Sequence, residues 1–316
     1  MEISIVIPVY NAEKYLDRCM RSVVASLEEF GGKGEIIAVN NNSKDGSMHI
    51  LQEWKKKLSQ NKALALRTVE CQEPGAGAAR NLGAREAKGD YLWFIDADDT
   101  ISKHSVRVLI EKAENEAADM VMLGAERITL DGKGQNTLIP AVNVALPDYK
   151  HRFVRSEAGP WAILIRRRWW NAHKFAFRTG IIHEDMELIP ALILYTDKFS
   201  AINEPLYQYY QNPGSVLHKR QWDGHYFDIF EALNGVYQRF SEAKALSRYR
   251  DDLEWFFIWN LLVDSAGDFA RFPEGRPGFQ RARKMLNQYF PAWRKNPFYR
   301  RQSWKFRLRL LYNYYR

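Results

Sequence analysis

The sequence of 316 residues has only two cysteines, Cys19 within a helix-like repeat and Cys71 after a strand-like run, and neither suggests a disulfide or a metal-ligand spacing. A chain this long buries enough surface to fold without such staples. The expectation is a reduced, cytoplasmic protein. Also missing is any run approaching the roughly 18 apolar residues of a spanning helix, and the first residues lack the basic-then-apolar order of a secretion signal. A protein that neither crosses a membrane nor is exported is therefore expected. Repeats and low-complexity tracts are absent as well.

Acidic residues are lacking in one stretch: Arg276 to Arg316 holds 12 Lys and Arg and no Asp or Glu, against 34 basic and 38 acidic residues elsewhere. The net charge of +8 is thus a C-terminal property. It calls for a negatively charged partner. Tyr, Trp, Phe and Leu are interleaved with the basic residues, so an anionic membrane surface, held peripherally at the inner face of the cell membrane, fits better than nucleic acid, which is not expected. Trp304, Leu308, Leu311 and Tyr315 recur there at helical spacing beside Lys305, Arg307, Arg309 and Arg316. That stripe reads either as an interfacial helix or as one docked on the rest of the chain or on another subunit, so a homo-oligomer stays open.

What is present is a regular alternation over the first 125 residues. Ile3 to Val9, Glu35 to Val39, Leu64 to Val69 and Tyr91 to Ile95 read as buried strands. Helix-type repeats lie between and after them: one through Tyr15, Cys19, Val23 and Leu27 with Asn11 as its expected cap, then Ser47 to Leu58, Ala78 to Ala87 and Ser105 to Ala117. This is the α/β pattern of a parallel sheet wrapped by helices. Ligands of such sheets gather at the C-terminal strand ends, which makes the residues after Val9, Val39 and Ile95 candidates for one crevice. From Met120 strand-like pieces, a turn at Asp131 and Gly132 and an aromatic, basic stretch from Trp161 to Phe177 mark a second region. From about Gln221 the chain is helix-like, with breaks near Phe272 to Pro277, Pro291 and Pro297. The expected division is 1–125, 126–220 and 221–316.

Three carboxylates, Asp96, Asp98 and Asp99, follow the apolar fourth strand within four positions. Like charges crowded at a strand end repel unless neutralised, and a hard divalent cation such as Mn²⁺ or Mg²⁺ takes oxygen ligands while leaving positions for a diphosphate. A helix cap is the plainer reading of the triplet. The loop from Asn40 to Ser47 is dense in amides and hydroxyls able to read a base edge. The loop from Glu73 to Arg80 carries two glycines that would let backbone amides approach phosphate.

In order and spacing these pieces resemble the inverting glycosyltransferase family 2. The resemblance runs through Ser4-Ile-Val-Ile-Pro-Val-Tyr-Asn11, Asn41-Asn-Ser-Lys-Asp-Gly-Ser47, Gly77-Ala-Ala-Arg-Asn-Leu-Gly83 and Ala87 to Asp99. It continues through Trp161, His183-Glu-Asp185, Glu204-Pro-Leu-Tyr207 and Gly214-Ser-Val-Leu-His218, covering about the first 220 residues. It implies a GT-A fold, in which a Rossmann-like nucleotide-binding sheet is continuous with an acceptor-binding region, followed here by a helical C-terminal extension. It further implies that Pro8 and Tyr10 border the nucleobase, that Arg80 contacts the nucleotide, that Asp96 lies near ribose or metal, and that Asp98 ligates the ion bridging two phosphates. Asn41 stands where the family usually has an acidic base-reading residue; an amide still allows uracil, so a UDP-sugar is favoured. Asp185, beside Glu184, matches the general base, and His218 matches a third metal ligand.

The function so implied is inverting transfer of a sugar from a nucleotide-sugar donor to a hydroxyl of a glycan or lipid-linked acceptor in surface polysaccharide synthesis, an α-linked donor giving a β-linked product. The rival classes are a non-catalytic nucleotide-sugar-binding subunit of a polysaccharide assembly complex and a nucleotidyltransferase, which would release pyrophosphate. Trp161, Trp169 and Trp170 are open to two roles: stacking on acceptor sugars or packing the core.

Overall fold

The computed structural model describes residues 2–128, 134–139, 146–156, 159–212 and 222–316, with backbone alone at 134–139 and 146–148. The chain forms two compact units, one of residues 1–144, 157–180 and 195–215, the other of residues 145–156, 181–194 and 216–316.

The first unit is built on a nine-stranded sheet. Its parallel half comprises β1 (Ile3–Val9), β2 (Gly34–Asn40), β3 (Leu64–Glu70) and β4 (Tyr91–Phe94), in the spatial order β3-β2-β1-β4. Helices α1 (Leu16–Phe30), α2 (Ser47–Leu58) and α3 (Ala76–Glu86) supply the crossovers, and β5 (Thr100–Ile101) and α4 (Ser105–Asn115) follow. The bounds of β1 to β4 lie within one residue of the sequence expectation and those of α2 to α4 within two, because buried runs such as Ile3 to Val9, apolar on both faces, are distinctive of parallel strands, whereas α1 starts and ends later than expected. Beyond β4 the sheet turns mixed. The long strand β6 (Met120–Ile128) carries β7 (Gly134–Ile139), and β8 (Ile163–Arg166) lies antiparallel between β4 and β6, leading into the short α6 (Arg167–Ala172). A further strand, Phe199–Tyr210, runs parallel to β6 and antiparallel to β5.

Two local features shape the parallel half. Gly83 of α3 lies so close to β1 that a Cβ there would stand 2.3 Å from a Val6 methyl, which seats the helix tightly on the sheet. Pro8 sits in a central strand, where a missing N–H is normally costly. It is tolerated because alternation turns its nitrogen to the β4 side, and the last β1–β4 pair is Val6 with Phe94. Past that pair the two strands part, opening the sheet at its C-terminal edge.

Asn11 does not cap α1. The helix starts at Leu16 after Tyr15 with no side-chain cap, and Asn11 instead takes a left-handed conformation (φ 49°) and accepts from the Lys44 N–H at 2.8 Å. Nor does the acidic triplet cap a helix, since α4 begins after His104.

The second unit is helical: α5 (Leu146–Arg155), α7 (Glu184–Leu188), and, after the strand Phe199–Tyr210, here β9, α8 (Asp228–Glu242), α9 (Arg250–Trp259), α10 (Ser265–Arg271), α11 (Pro277–Tyr289), α12 (Pro297–Arg300) and α13 (Trp304–Tyr315). The breaks fall where the prolines predict, with Phe272 extended before Pro273 and Asn296 capping α12 through the Phe298 and Tyr299 amides. Among the described residues no helix is long and apolar enough to cross a membrane.

Candidate active site

The acidic corner follows β4 at the point where the strand order of the parallel half reverses, the place where open α/β sheets bind ligands. Its three carboxylates have different surroundings. Asp99 is 1% exposed and accepts from the Tyr207 hydroxyl at 2.6 Å and the Tyr210 N–H at 2.8 Å. Burial, then the charges of Asp98 and Asp96, push its pKa well above the ordinary carboxylate range. This side chain ties the corner to β9.

Asp96 is half-buried and held by Arg80, whose Nη2 donates to it at 2.8 Å. Arg80 is itself only 6% exposed, so it is no surface cation. Asp98 is also half-buried; its carboxylate accepts from the Asn212 amide at 3.0 Å, and among the described residues no ion pair is made to it, Arg18 reaching its main-chain carbonyl instead. Burial and the neighbouring Asp96 charge raise its pKa. A half-buried carboxylate whose pKa stays raised although Arg18 lies near fits a divalent cation. Among the described residues no group of three or more His, Cys, Asp or Glu gathers to hold one, so the protein would supply Asp98 with Asp96, and oxygens of substrate and water the rest. His218 lies outside the described residues.

Three partners of this corner escaped the sequence reading. Tyr207 is fully buried; its hydroxyl accepts from the Asp96 N–H at 3.2 Å while donating to Asp99, and its ring stacks on Trp161 with centroids 4.7 Å apart. Arg18 of α1 donates to the Asp98 carbonyl at 2.6 Å and lies 3.5 Å over the Tyr210 ring. Asn212 is the third. Tyr207 stood within a motif already singled out, whereas Arg18 and Asn212 carry no sequence signal, since each is brought in by the fold from 80 or more residues away. Burial, then the three aspartate charges, also push Tyr209 up to about 12.

The nucleotide side of the crevice is knit from the loops after β1, β2 and β3. Ser43 Oγ accepts from the Asn11 N–H at 3.1 Å and Ser47 Oγ from Ala12 at 2.9 Å, while Asp45 accepts from Glu13 at 2.9 Å and Glu13 in turn from Gly46 at 3.0 Å. Asn41, 6% exposed, donates to the Cys71 and Glu73 carbonyls at 3.1 and 2.6 Å and accepts from the Gly75 N–H at 2.8 Å. Its amide hydrogens are both engaged, and the Gly75 amide, in a backbone with φ 108°, points at Asn41. Tyr10, by contrast, is 63% exposed at the end of β1, its ring available for stacking, and Pro8 is half-buried beside it.

Trp161, Trp169 and Trp170 are all buried, at 7, 6 and 3% exposure, which is the core-packing role. The Trp161 carbonyl accepts from Trp93 at 2.8 Å, and Trp170 packs on Phe94.

In the second unit His183 adopts a left-handed backbone (φ 70°), a sharp entry into α7 for a residue other than glycine. Glu184 and Asp185 form the first helical turn. Glu184 is buried; Asp185 is half-exposed, one oxygen accepting from the Met186 N–H at 2.9 Å. The helix N-terminus favours their charge. Burial lowers the His183 pKa against the pull of Asp185 and Asp228. Asp228 accepts from the Ile182 N–H at 3.0 Å and pairs with His225 at 2.7 Å, fixing the approach to this turn.

A parallel half-sheet ending in an acidic corner and continued by antiparallel strands is the architecture of the GT-A glycosyltransferases. The sequence profile of Glycosyl transferase family 2 matches residues 4–174, more than half of the chain, and the protein belongs to that family: it is a glycosyltransferase. It is 26% identical over 274 residues to the uncharacterized glycosyltransferase EpsJ of Bacillus subtilis, covering 82% of this chain and 76% of that one. It is 25% identical over 134 residues to the poly(ribitol-phosphate) beta-N-acetylglucosaminyltransferase TarS of Staphylococcus aureus, covering 42% of this chain and 22% of TarS. The fold superposes on the crystal structure of TarS residues 1–349 in complex with UDP-GlcNAc with a TM-score of 0.74 at 17% identity, over 99% of this chain and 89% of that one. It also matches a mannosyltransferase of Pyrobaculum calidifontis in complex with GDP-Man and Mn²⁺, with a TM-score of 0.53 at 15% identity, over 99% and 84% of the two chains.

Proposed function

We propose that this glycosyltransferase transfers a sugar, with inversion, from a UDP-sugar to a hydroxyl of a glycan or lipid-linked acceptor in cell-surface polysaccharide synthesis. The observation that carries the reading is Asp98: a half-buried carboxylate with a raised pKa and, among the described residues, no ion pair to its carboxylate, the neighbouring Arg18 bonding its main-chain carbonyl instead, beside an Asp96 that Arg80 already neutralises. Such a group is costly to keep ionised unless a cation completes it. Asp98 and Asp96 would hold Mn²⁺ or Mg²⁺. When bound, the ion would stabilise the negative charge that gathers on the departing diphosphate.

The chain's own residues account for the rest. The exposed Tyr10 ring offers a stacking face for a base, with Pro8 bordering it. Asn41 shapes the base pocket through the 71–75 backbone it holds. Arg80 fixes the Asp96 carboxylate and brings a buried positive charge to the phosphate side. We assign Asp185 as the base that removes the acceptor hydroxyl proton as the oxygen attacks, an effect worth about 10²- to 10⁴-fold. Glu184 shares its turn, and His218 remains the candidate third ligand. The UDP preference and the acceptor class are supported by the UDP-GlcNAc complex and the polymer-directed activity named for TarS. A lipid-linked acceptor would bring the enzyme peripherally to the inner membrane face.

The test is a thermal-shift series with UDP, GDP and dTDP, each with and without Mn²⁺, followed by sugar-nucleotide hydrolysis. The expected result is stabilisation by UDP that needs the ion and vanishes in Asp98→Ala. Metal-independent binding, or turnover unaffected by Asp98→Ala, would refute the assignment.

A further inference from the structure

Helix α13 has two apolar faces. The inner one is occupied within its own unit: Leu310, Asn313 and Tyr314 are buried, and the Asn313 amide donates to the Leu262 carbonyl at 2.9 Å. The outer one is bare. Trp304, Leu308, Tyr312 and Tyr315 are 63, 55, 63 and 64% exposed, four of the six large hydrophobic residues so exposed among those described. At 100° per residue these four fall within a single arc of about 80°. Together with Leu311 and Arg316, the last three line a surface hollow of about 430 Å³.

The same wheel places Lys305, Arg316 and Arg309 in the next 40° of arc, bordering the apolar stripe along one side. All three are exposed, and Arg276, Lys284, Lys295, Arg300 and Arg301 are exposed on the preceding helices and turns. No carboxylate side chain occurs anywhere from Arg276 to Arg316. Aromatic and aliphatic groups in a narrow stripe, edged by long cationic side chains, match the boundary between lipid headgroups and acyl chains. A two-fold pairing of this face with a second copy would bring its cations against their own kind, with no acid to answer them.

We propose that the outer face of α13 is a docking surface for an anionic lipid bilayer, with Trp304, Leu308, Tyr312 and Tyr315 entering the headgroup boundary and Lys305, Arg309 and Arg316 meeting lipid phosphates. This goes beyond the transfer reaction and rests on none of its residues.

Flotation of the full-length protein with vesicles tests it, comparing pure phosphatidylcholine with mixtures containing phosphatidylglycerol, at low and high salt. The protein should float with the anionic vesicles only, and less so at high salt. Leu308→Glu and Trp304→Glu should each weaken binding about tenfold or more, and Lys305→Gln and Arg309→Gln about fivefold each. All four lie on the solvent side of the helix and should keep the wild-type melting temperature and the wild-type rate of sugar-nucleotide hydrolysis without vesicles, which separates a failure of docking from a failure of the enzyme. Flotation that ignores lipid charge, or folded variants that float like wild type, would overturn the proposal. So would a concentration-dependent dimer that Leu308→Glu dissolves, since the occupant would then be a second copy.

Discussion

Asp98 and Asp99 are chain neighbours with separate tasks. Asp99 binds a buried hydroxyl and a backbone amide, so Asp99→Ala leaves both without their acceptor, at about 1–3 kcal/mol for each group that stays buried. Urea denaturation should show that loss whether or not metal is present. Asp98 differs in that its charge can be removed while the bond from Asn212 is kept. Its folded pKa is raised above the ordinary value of 3.8, so near pH 7 the folded state holds an ionised group that the unfolded chain accommodates better. Asp98→Asn keeps an acceptor for Asn212 and removes the charge. It should raise the melting temperature of the metal-free protein while abolishing the shift produced by Mn²⁺ with UDP, a stability gain at the expense of function. An unchanged or lowered metal-free melting temperature would contradict that assignment. Asp185→Asn should leave nucleotide binding intact and lower the transfer rate by about 10²- to 10⁴-fold, measured as nucleoside diphosphate release with acceptor present.

At the scale of elements, the strands and helices of the parallel half were legible because burial on both sheet faces and one-sided burial on helices leave different periods in the sequence. The loops were not. Asn11, Asn41 and Ser43 look alike as polar turn residues, and their tasks depend on main-chain groups 30 or more residues away. The reading of Asn11 as a cap failed for that reason, and Asn41 pins a backbone with both of its amide hydrogens. Asp45 tests this latch. Burial pushes its carboxyl up, but the Ser47 hydroxyl and the amides of Glu13 and Ser47 outweigh burial and hold the pKa below 3.8. The latch therefore adds stability fully above the unfolded value, and loses it as pH falls through the lower folded value. Urea titrations across the acid range should show Asp45→Asn with a flatter pH dependence than wild type and a lower stability at neutral pH. Gly83→Ala should destabilise by about 1–3 kcal/mol through its clash with Val6, without altering the order of nucleotide preference.

At the scale of the whole molecule, the residues beyond 125 were legible in their breaks but not in their allegiance. Helical periods and prolines mark where each C-terminal helix stops, yet nothing local in Leu146–Arg155 or Glu184–Leu188 tells that they belong with residues after 216 rather than with the sheet. The contacts that decide it are long-range. Asp252 of α9, 4% exposed, takes His151 at 2.5 Å and Arg155 at 3.2 Å from α5, and Glu187 of α7 receives Arg239 of α8 at 2.9 Å. The chain thus leaves the second unit twice and returns to it, so that unit has no boundary at which it can be cut away. A truncation ending at residue 215 would keep α5 and α7 while deleting α9 and α8, on which they pack. Phe153, Val154, Leu188 and Ile189, each no more than 1% exposed in the intact unit, would then be bared along with Glu187. Such an exposed apolar surface promotes association. The shortened chain should collect in the insoluble fraction or elute as aggregates on size exclusion, even though it retains the entire nine-stranded sheet and the Asp96 and Asp98 corner. Recovery of a monomer that still shows the Mn²⁺-dependent UDP shift would mean that the interleaved segments contribute little to the second unit's stability.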